Sequence, residues 1–269
     1  MPNDYLPLCS TSPPLVTIIT VVFNGEEYLA ETIESVASQT YRHIEYIIID
    51  GGSTDSTLNI ISAYKDVIDH WISEKDSGIY DAMNKGVQLA SGDWICFMNC
   101  GDTFSSIATL SEVFASNHYT GIDIIYGGHN IVYSDKSVYP GVVGDHTMLK
   151  YGSQFSHQSA FISIRHHMKL LYNSELKLVA DFDFFYHSFM ASANFIRLNT
   201  VISNCQTGGV SDKHRFATII GWWCIVDKTA TVNLYYLNTL TKEAIKSLIK
   251  YVFPKLSELF RNYHSKLKL

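Results

Sequence analysis

Apolar residues in this chain follow two rhythms, a continuous one and a helical one, and they alternate. Val16 to Phe23 is a run rich in β-branched residues, which predicts a strand covered on both faces. Leu29, Ile33, Val36 and Ala37 then recur at helical spacing, and Asn24 with Glu27 three residues later reads as a capping box opening that helix. A second apolar run, Ile44 to Ile49, ends at Asp50-Gly51-Gly52-Ser53, after which Asp55 or Ser56 is placed to cap a short helix carrying Leu58, Ile61 and Tyr64. A strand at His70 to Ser73, a helix from about Ile79 to Ala90, a turn at Gly92 and a strand at Trp94 to Met98 continue the series. Strand and helix units of this length predict parallel strands joined by right-handed crossovers.

The second half is less regular. Short strands are predicted near Ile122 to Tyr126, Ile131 to Tyr133 and Ala160 to Ile164. A helix follows from Asp181 to Ala191, with Phe182, Phe185 and Phe189 facing inward, and then a strand at Phe195 to Val201. Residues 1–15, with Pro2, Pro7, Pro13 and Pro14, are expected to form a flexible arm, and residues 16–210 the α/β body. Residues 211–269 follow as a loop and an amphipathic, basic helical tail. In that tail Ile245, Leu248, Ile249, Val252 and Phe253, then Leu256, Leu259 and Phe260, recur at helical spacing, with Pro254 breaking or kinking the run.

Composition narrows the possibilities. A chain of 269 residues with 46% hydrophobic content suits one α/β domain with a small appendage. A formal net charge of −6 argues against nucleic acid as a partner, since phosphate binding needs a concentrated basic surface. The exception is local: Thr241 to Leu269 holds seven Lys or Arg against two acids. Such a stretch either lies on an anionic bilayer surface or packs on the core or on a second subunit. The five scattered cysteines form no metal or disulfide pattern, which points to a reducing, cytoplasmic setting, peripheral on the inner face of the cell membrane if the tail is an anchor. No segment reaches the roughly 18 uninterrupted apolar residues of a membrane span.

In parallel α/β sheets ligands sit beyond the carboxyl ends of the strands. Those ends are Phe23-Asn24, Asp50-Gly51-Gly52, Glu74-Lys75-Asp76 and Asn99-Cys100-Gly101-Asp102, so three of four supply a carboxylate to one rim. Neither a GxGxxG nor a GxxxxGK[ST] phosphate loop is present, so a nucleotide held here would need a divalent metal on its phosphates. Asp102 is either that metal's ligand or the cap of a helix beginning near Ser105 or Ile107. Asp50 either builds its turn or accepts the N3–H of a uracil-like base, and Asp76 either serves a ribose or begins the turn before Gly78. Asp181, with Asp183 as its rival, is a candidate general base in an apolar stretch where burial would raise its pKa; its other role is an N-cap.

Thr17 to Thr57 and Ser73 to Phe104, taken with these motifs in this order, resemble the family 2 glycosyltransferases of GT-A fold, in particular the bacterial enzymes of capsule, exopolysaccharide and O-antigen assembly. The resemblance implies a Rossmann-like, mostly parallel sheet flanked by helices with a short helical tail. It implies that Phe23 and Asn24 border the nucleotide, that Asp50 recognises its base, and that Asp76 lies near ribose and phosphates. Asn99-Cys100-Gly101-Asp102 stands at the DXD position, Gly101 and Asn99 replacing acids found in many members and Asp102 matching the metal carboxylate. Ala180-Asp181-Phe182-Asp183 is similar to the acidic catalytic motif, with Asp181 as base in an inverting displacement. The expected cofactor is Mn²⁺ or Mg²⁺. The expected partners are a nucleotide-sugar, with UDP favoured, and a lipid-linked or oligosaccharide acceptor. Lys213, His214 or Arg215 either touch the diphosphate or belong to a solvated hinge, and His157-Gln158 either line the acceptor side or pack in the core. A nucleotidyltransferase would want a basic, glycine-rich loop after the first strand, where this chain has Gly25-Glu26-Glu27; a non-catalytic sugar-binding module would not need Asp181.

Overall fold

The computed structural model describes residues 12–116 and 119–252. Four of the predicted strands, β1 (Val16–Val22), β2 (Ile44–Asp50), β3 (His70–Ser73) and β4 (Trp94–Phe97), lie parallel in the spatial order β3-β2-β1-β4. Helices α1 (Leu29–Ala37), α2 (Thr57–Ala63) and α3 (Ile79–Leu89) make the crossovers. Because side chains alternate along a strand, Ile19 and Val21 of β1 join Tyr80, Met83 and Val87 of α3 on one face. Val16, Ile18 and Val22 join Leu29, Ile33 and Val36 of α1 and Ile61 of α2 on the other. Burial on both faces is the reason these strands read as continuous apolar runs. Gly86 of α3 marks the closest approach of helix to sheet: a Cβ there would sit 2.5 Å from Ile19 Cγ2.

Beyond β4 the sheet becomes mixed. Strand β8 (Ala160–Ser163) runs antiparallel to β4, β6 (Ile124–Val132) antiparallel to β8, and β9 (Phe195–Gln206) parallel to β6. The short β5 (Thr103–Phe104) closes on β9, and β7 (Val138–Pro140) pairs with β6. The two strands expected near 122–126 and 131–133 are one strand, β6. Gly127 and Gly128 do not end it; they accommodate register shifts against β9, where a Cβ on Gly127 would meet the Thr200 carbonyl at 2.6 Å. The remaining short helices are α4 (Thr109–Phe114), α5 (Ile164–His167) and α7 (Val210–Lys213).

Two local expectations change. The capping box at Asn24 and Glu27 does not form: α1 begins at Leu29 with Tyr28 at its N-cap and no side-chain cap. Asn24 instead takes a left-handed φ of 51°, which its short amide tolerates, and its Oδ1 accepts a hydrogen bond from Thr54 N at 2.9 Å. Helix α6 (Ala180–Met190) buries more than the predicted stripe, with Phe184 and Tyr186 as well as Phe182 and Phe185 in the interior. Helix α8 (Arg215–Ile225) and the first turns of α9 (Ala230–Val252) lean on it: Ile219, Val232 and Tyr236 share a cluster with Phe97 and Phe182. The tail helix therefore starts well before Thr241. Phe253 to Leu269, including Pro254, lie outside the described residues, as do residues 1–11. Among the described residues no helix is long and apolar enough to cross a membrane.

Candidate active site

The carboxyl ends of β1 to β4 form one rim, and the chain ties its loops together there. Asn24 N donates to Ser53 Oγ at 2.7 Å, Gly25 N to Thr57 Oγ1 at 2.9 Å, and Ser56 N to Glu26 Oε2 at 2.9 Å. Phe23 stands out of this lacing with 65% of its surface exposed, an apolar ring offered at the rim. Asp50 is fully buried, and its carboxylate accepts from Gly52 N at 3.2 Å, Ser53 N at 3.0 Å, Ser73 Oγ at 2.6 Å and the Ser53 hydroxyl. In this arrangement Asp50 builds the turn, so accepting a base N3–H would require it to give up one of those bonds. Asp76 Oδ1 accepts from Gly78 N at 2.9 Å, the turn role considered for it. Its Oδ2 lies over Gly51, 2.6 Å from where a Cβ would be, so the missing side chain of Gly51 is what lets Asp76 approach the backbone there.

The loop after β4 is held from two sides. Gly101 has a φ of +97°, which disfavours any other residue, and its N–H donates to Thr32 Oγ1 at 3.0 Å. Asp102 does not cap a helix: α4 starts only at Thr109, with Ala108 at its N-cap. The Asp102 Oδ1 atom accepts from Gln206 N at 3.0 Å and Oδ2 from Gln158 Nε2 at 2.8 Å. Burial pushes its pKa up to about 6 against those two bonds and the nearby His157. Gln206 ends β9, so the 207–214 segment leaves the sheet directly beside Asp102. In that segment Lys213 and His214 are exposed, while the Arg215 guanidinium lies 5.1 Å over the Trp222 ring.

Asp181 sits in the first turn of α6, inside the helix rather than at its N-cap, which is Val179. Its Oδ1 accepts from Tyr80 Oη at 2.8 Å and its Oδ2 from His157 Nδ1 at 3.1 Å. A quarter of the side chain stays open. The expected rise in pKa is reversed. Burial is the largest single influence and acts upward, but the bond and charge of His157, the Tyr80 hydroxyl and the Phe182 N–H together hold the carboxyl below its ordinary range. Asp183 points elsewhere, pairing with His187 Nδ1 at 3.1 Å on the same helix, and burial raises it.

One short 3₁₀ turn, His157–Ser159, thus touches both acids. His157 reaches Asp181 with one ring nitrogen and Asn99 Nδ2 with the other at 3.0 Å, while the adjacent Gln158 reaches Asp102. Tyr80 and Gln206 carried no signal as site residues in the sequence. A Tyr on a helix face reads as core, and a backbone N–H donor is invisible in a residue string. His157-Gln158 stood beside a strand start, and their polarity before an apolar run was the available hint.

The model of the family described as Glycosyl transferase family 2 matches residues 17–170. The chain is a member of that family. A PGL/p-HBAD biosynthesis glycosyltransferase of Mycobacterium bovis is 30% identical over 208 residues, covering 74% of this chain and 80% of that protein. An uncharacterized glycosyltransferase of Mycobacterium tuberculosis is 43% identical over 103 residues, but the match spans only 39% of its length. Among solved structures, the mannosyltransferase PcManGT from Pyrobaculum calidifontis, in complex with GDP-Man and Mn²⁺, superposes with a TM-score of 0.65 at 14% identity, covering 96% of this chain and 81% of that one. Staphylococcus aureus TarS 1-349, in complex with UDP-GlcNAc, gives 0.61 at 15% identity, covering 82% and 70%. The family 2 chain shares the GT-A fold of these neighbours, a mixed sheet flanked by helices with a helical C-terminal region.

Proposed function

We propose that this family 2 chain transfers one sugar from a nucleoside-diphosphate sugar to a hydroxyl, with inversion at the anomeric carbon. The observation that carries the reading is Asp181, an ionised carboxylate with an open side, at the edge of the strand-end rim and linked through His157 to the β4 loop. In the reaction the acceptor oxygen attacks the anomeric carbon, its proton passes to Asp181, and the bond to the diphosphate breaks with its electron pair leaving on the nucleotide. A lowered pKa keeps Asp181 ionised at neutral pH and so always ready to accept that proton, at the cost of some basicity. Phe23 offers a stacking face for the base, and Asn24, Asp50, Asp76 and Gly101 shape the backbone against which ribose and phosphates lie.

A divalent cation fits this site as a companion of the donor. Among the described residues no group of three or more His, Cys, Asp or Glu could hold a metal ion alone. Asp102 is the carboxylate that would hold Mn²⁺ or Mg²⁺, each of its oxygens accepting only one protein hydrogen bond, with diphosphate oxygens and water completing the shell. Such an ion would neutralise charge on the departing diphosphate. The neighbours bound to UDP-GlcNAc and to GDP-Man support a nucleotide-sugar donor, and UDP is our first choice.

For the acceptor we propose a lipid-linked saccharide in bacterial surface glycan assembly, reached at the membrane surface. Helix α9 supports this. Leu234, Leu237, Ile245, Leu248 and Val252 are at least half exposed on the face turned away from the buried Val232 and Tyr236, with Lys242 at the edge of that face. Removing residues 241–269 should release the protein from anionic liposomes and spare nucleotide binding; unchanged retention would refute the anchor. The transferase reading is tested by nucleotide release from UDP-, GDP- and dTDP-sugars with and without Mn²⁺ or Mg²⁺. Release from one donor, abolished in Asp181→Asn, is expected, and a chain that neither releases nor binds any of these nucleotides would sink it.

A further inference from the structure

The two acids of the site come from opposite halves of the chain, and two adjacent side chains span them. His157 Nδ1 lies 3.1 Å from Asp181 Oδ2, and Gln158 Nε2 lies 2.8 Å from Asp102 Oδ2. Both bridging groups are themselves held. Asn99 Nδ2 lies 3.0 Å from His157 Nε2, and the ionised Asp181 carboxylate, which can only accept, requires the Nδ1 proton to face it. The Gln158 carbonyl oxygen of the side chain accepts from the Ser156 hydroxyl, which turns its amide N–H₂ toward Asp102. Below them Ser159 is pinned to Ser203 of β9 by a 2.6 Å hydroxyl pair, and the Gln158 backbone carbonyl accepts from Cys96 of β4 at 3.8 Å. The turn is therefore fastened to β4, β9 and α6 together.

We propose that His157-Gln158 is a positioning clamp that sets the placement of the base Asp181 relative to the donor-side carboxylate Asp102, His157 orienting the former and Gln158 the latter. The inference rests on the transferase reading for its kinetic consequences, but the bonds it describes can be tested without turnover. His157 is not the base in this arrangement, because Asn99 occupies the ring nitrogen that would have to take the proton. A carboxylate on the first turn of a helix has rotamer freedom, and an inverting displacement needs the acceptor oxygen held in line with the bond that breaks. With Tyr80 on Oδ1 and His157 on Oδ2, Asp181 is held through both oxygens while each keeps a lone pair and a quarter of the side chain stays open. Fixing Asp102 through Gln158 and Gln206 keeps it turned toward the rim even though it is nearly buried.

The two halves of the clamp should fail differently. His157→Phe removes the donor to Asp181 and should lower kcat by about 10- to 100-fold while leaving the donor KM within about 2-fold. His157→Asn, whose amide can replace the Nδ1 donor, should recover most of that loss. Gln158→Leu should show the opposite split, raising the donor KM with a smaller change in kcat. Loss of the same parameter in His157→Phe and Gln158→Leu, or no rescue by Asn, would overturn the proposal. A ¹⁵N spectrum of labelled histidines at neutral pH, assigned by the resonance missing in His157→Phe, reads the geometry directly. A protonated Nδ1 supports the clamp, and an unprotonated Nδ1 overturns it. If the wild type neither releases nor binds nucleotide from any donor, the transferase reading fails, and that spectrum still decides whether the clamp exists.

Discussion

The two halves of the sheet hold their functional groups by different means. In the β1 to β3 half, Asn24, Asp50 and Asp76 are fixed by backbone N–H groups and hydroxyls of tight loops: Asp50 by residues two and three positions on and by Ser73, Asp76 by Gly78, and Asn24 by the neighbouring loop. In the half built from β4, β8, β9 and α6, Asp102 and Asp181 are fixed by residues 24 to 104 positions away, among them His157, Gln158, Tyr80 and Gln206. The turn bonds of Asp50 and Asp76, made within three residues, give a rigid scaffold, and the Ser73 hydroxyl and Thr54 N–H tie neighbouring loops to it. Long-range bridges make a site whose geometry depends on several elements packing correctly at once, and there burial and those partners move the two acids in opposite directions.

The comparison is sharpest at Asp181. Asp181→Asn should reduce turnover by about 10²- to 10⁴-fold with little change in donor affinity, read as kcat and KM for the released nucleotide. A comparable loss in Asp50→Asn would instead place the chemistry in the first half.

Next is a pH-dependent stability effect at Asp102. Its pKa rises from 3.8 to about 6 in the folded state, so the unfolded chain loses its proton first as pH increases. Folded stability is therefore unaffected below the unfolded value, falls as pH climbs from about 4 to 6, and stays lower above that by on the order of 2–3 kcal/mol. Asp102→Asn removes this titration. Relative to wild type, the variant should gain stability by about that amount between pH 4 and pH 7.5 in urea unfolding, and a flat difference would show that Asp102 is not perturbed.

Gly52 and Gly101 offer a matched pair, both at positive φ, of 84° and 97°, one in each half. Alanine at either should cost about 1–3 kcal/mol in chemical denaturation. Gly101→Ala alone should also raise the donor KM, because it lies next to Asp102 and faces Gln206 Oε1 at 3.3 Å. Smallest is Asn24→Ala, which loses an exposed loop-to-loop bond worth about 0.5–1.5 kcal/mol, visible as a modest drop in Tm.

How much was legible follows the same division. Strands β1 to β4 and their helices appeared at nearly their observed limits, because double-sided burial demands continuous apolar runs and crossovers need amphipathic helices. The two strands expected near 122–126 and 131–133 are continuous in β6, because Gly127 and Gly128 take up register shifts against Thr200 and Val201 of β9, neighbours that only the fold supplies. The capping box at Asn24 was a sound local reading that lost to a tertiary partner, Thr54. At Asp181 the apolar surroundings were read correctly, and the inferred direction of its pKa was not. Apolar neighbours are visible in the string, whereas His157 and Tyr80 are brought to the carboxylate only by the fold.

The sequence by itself determined the fold class and the rim of strand-end acids, because those depend on periodicity and on loop chemistry within a few residues. Tertiary structure decided which acids are paired, which remain open and which way their protons lean. Those properties arise from side chains that meet only after β4, β8, β9 and α6 have packed, and electrostatics at a few ångströms does not depend on distance along the chain.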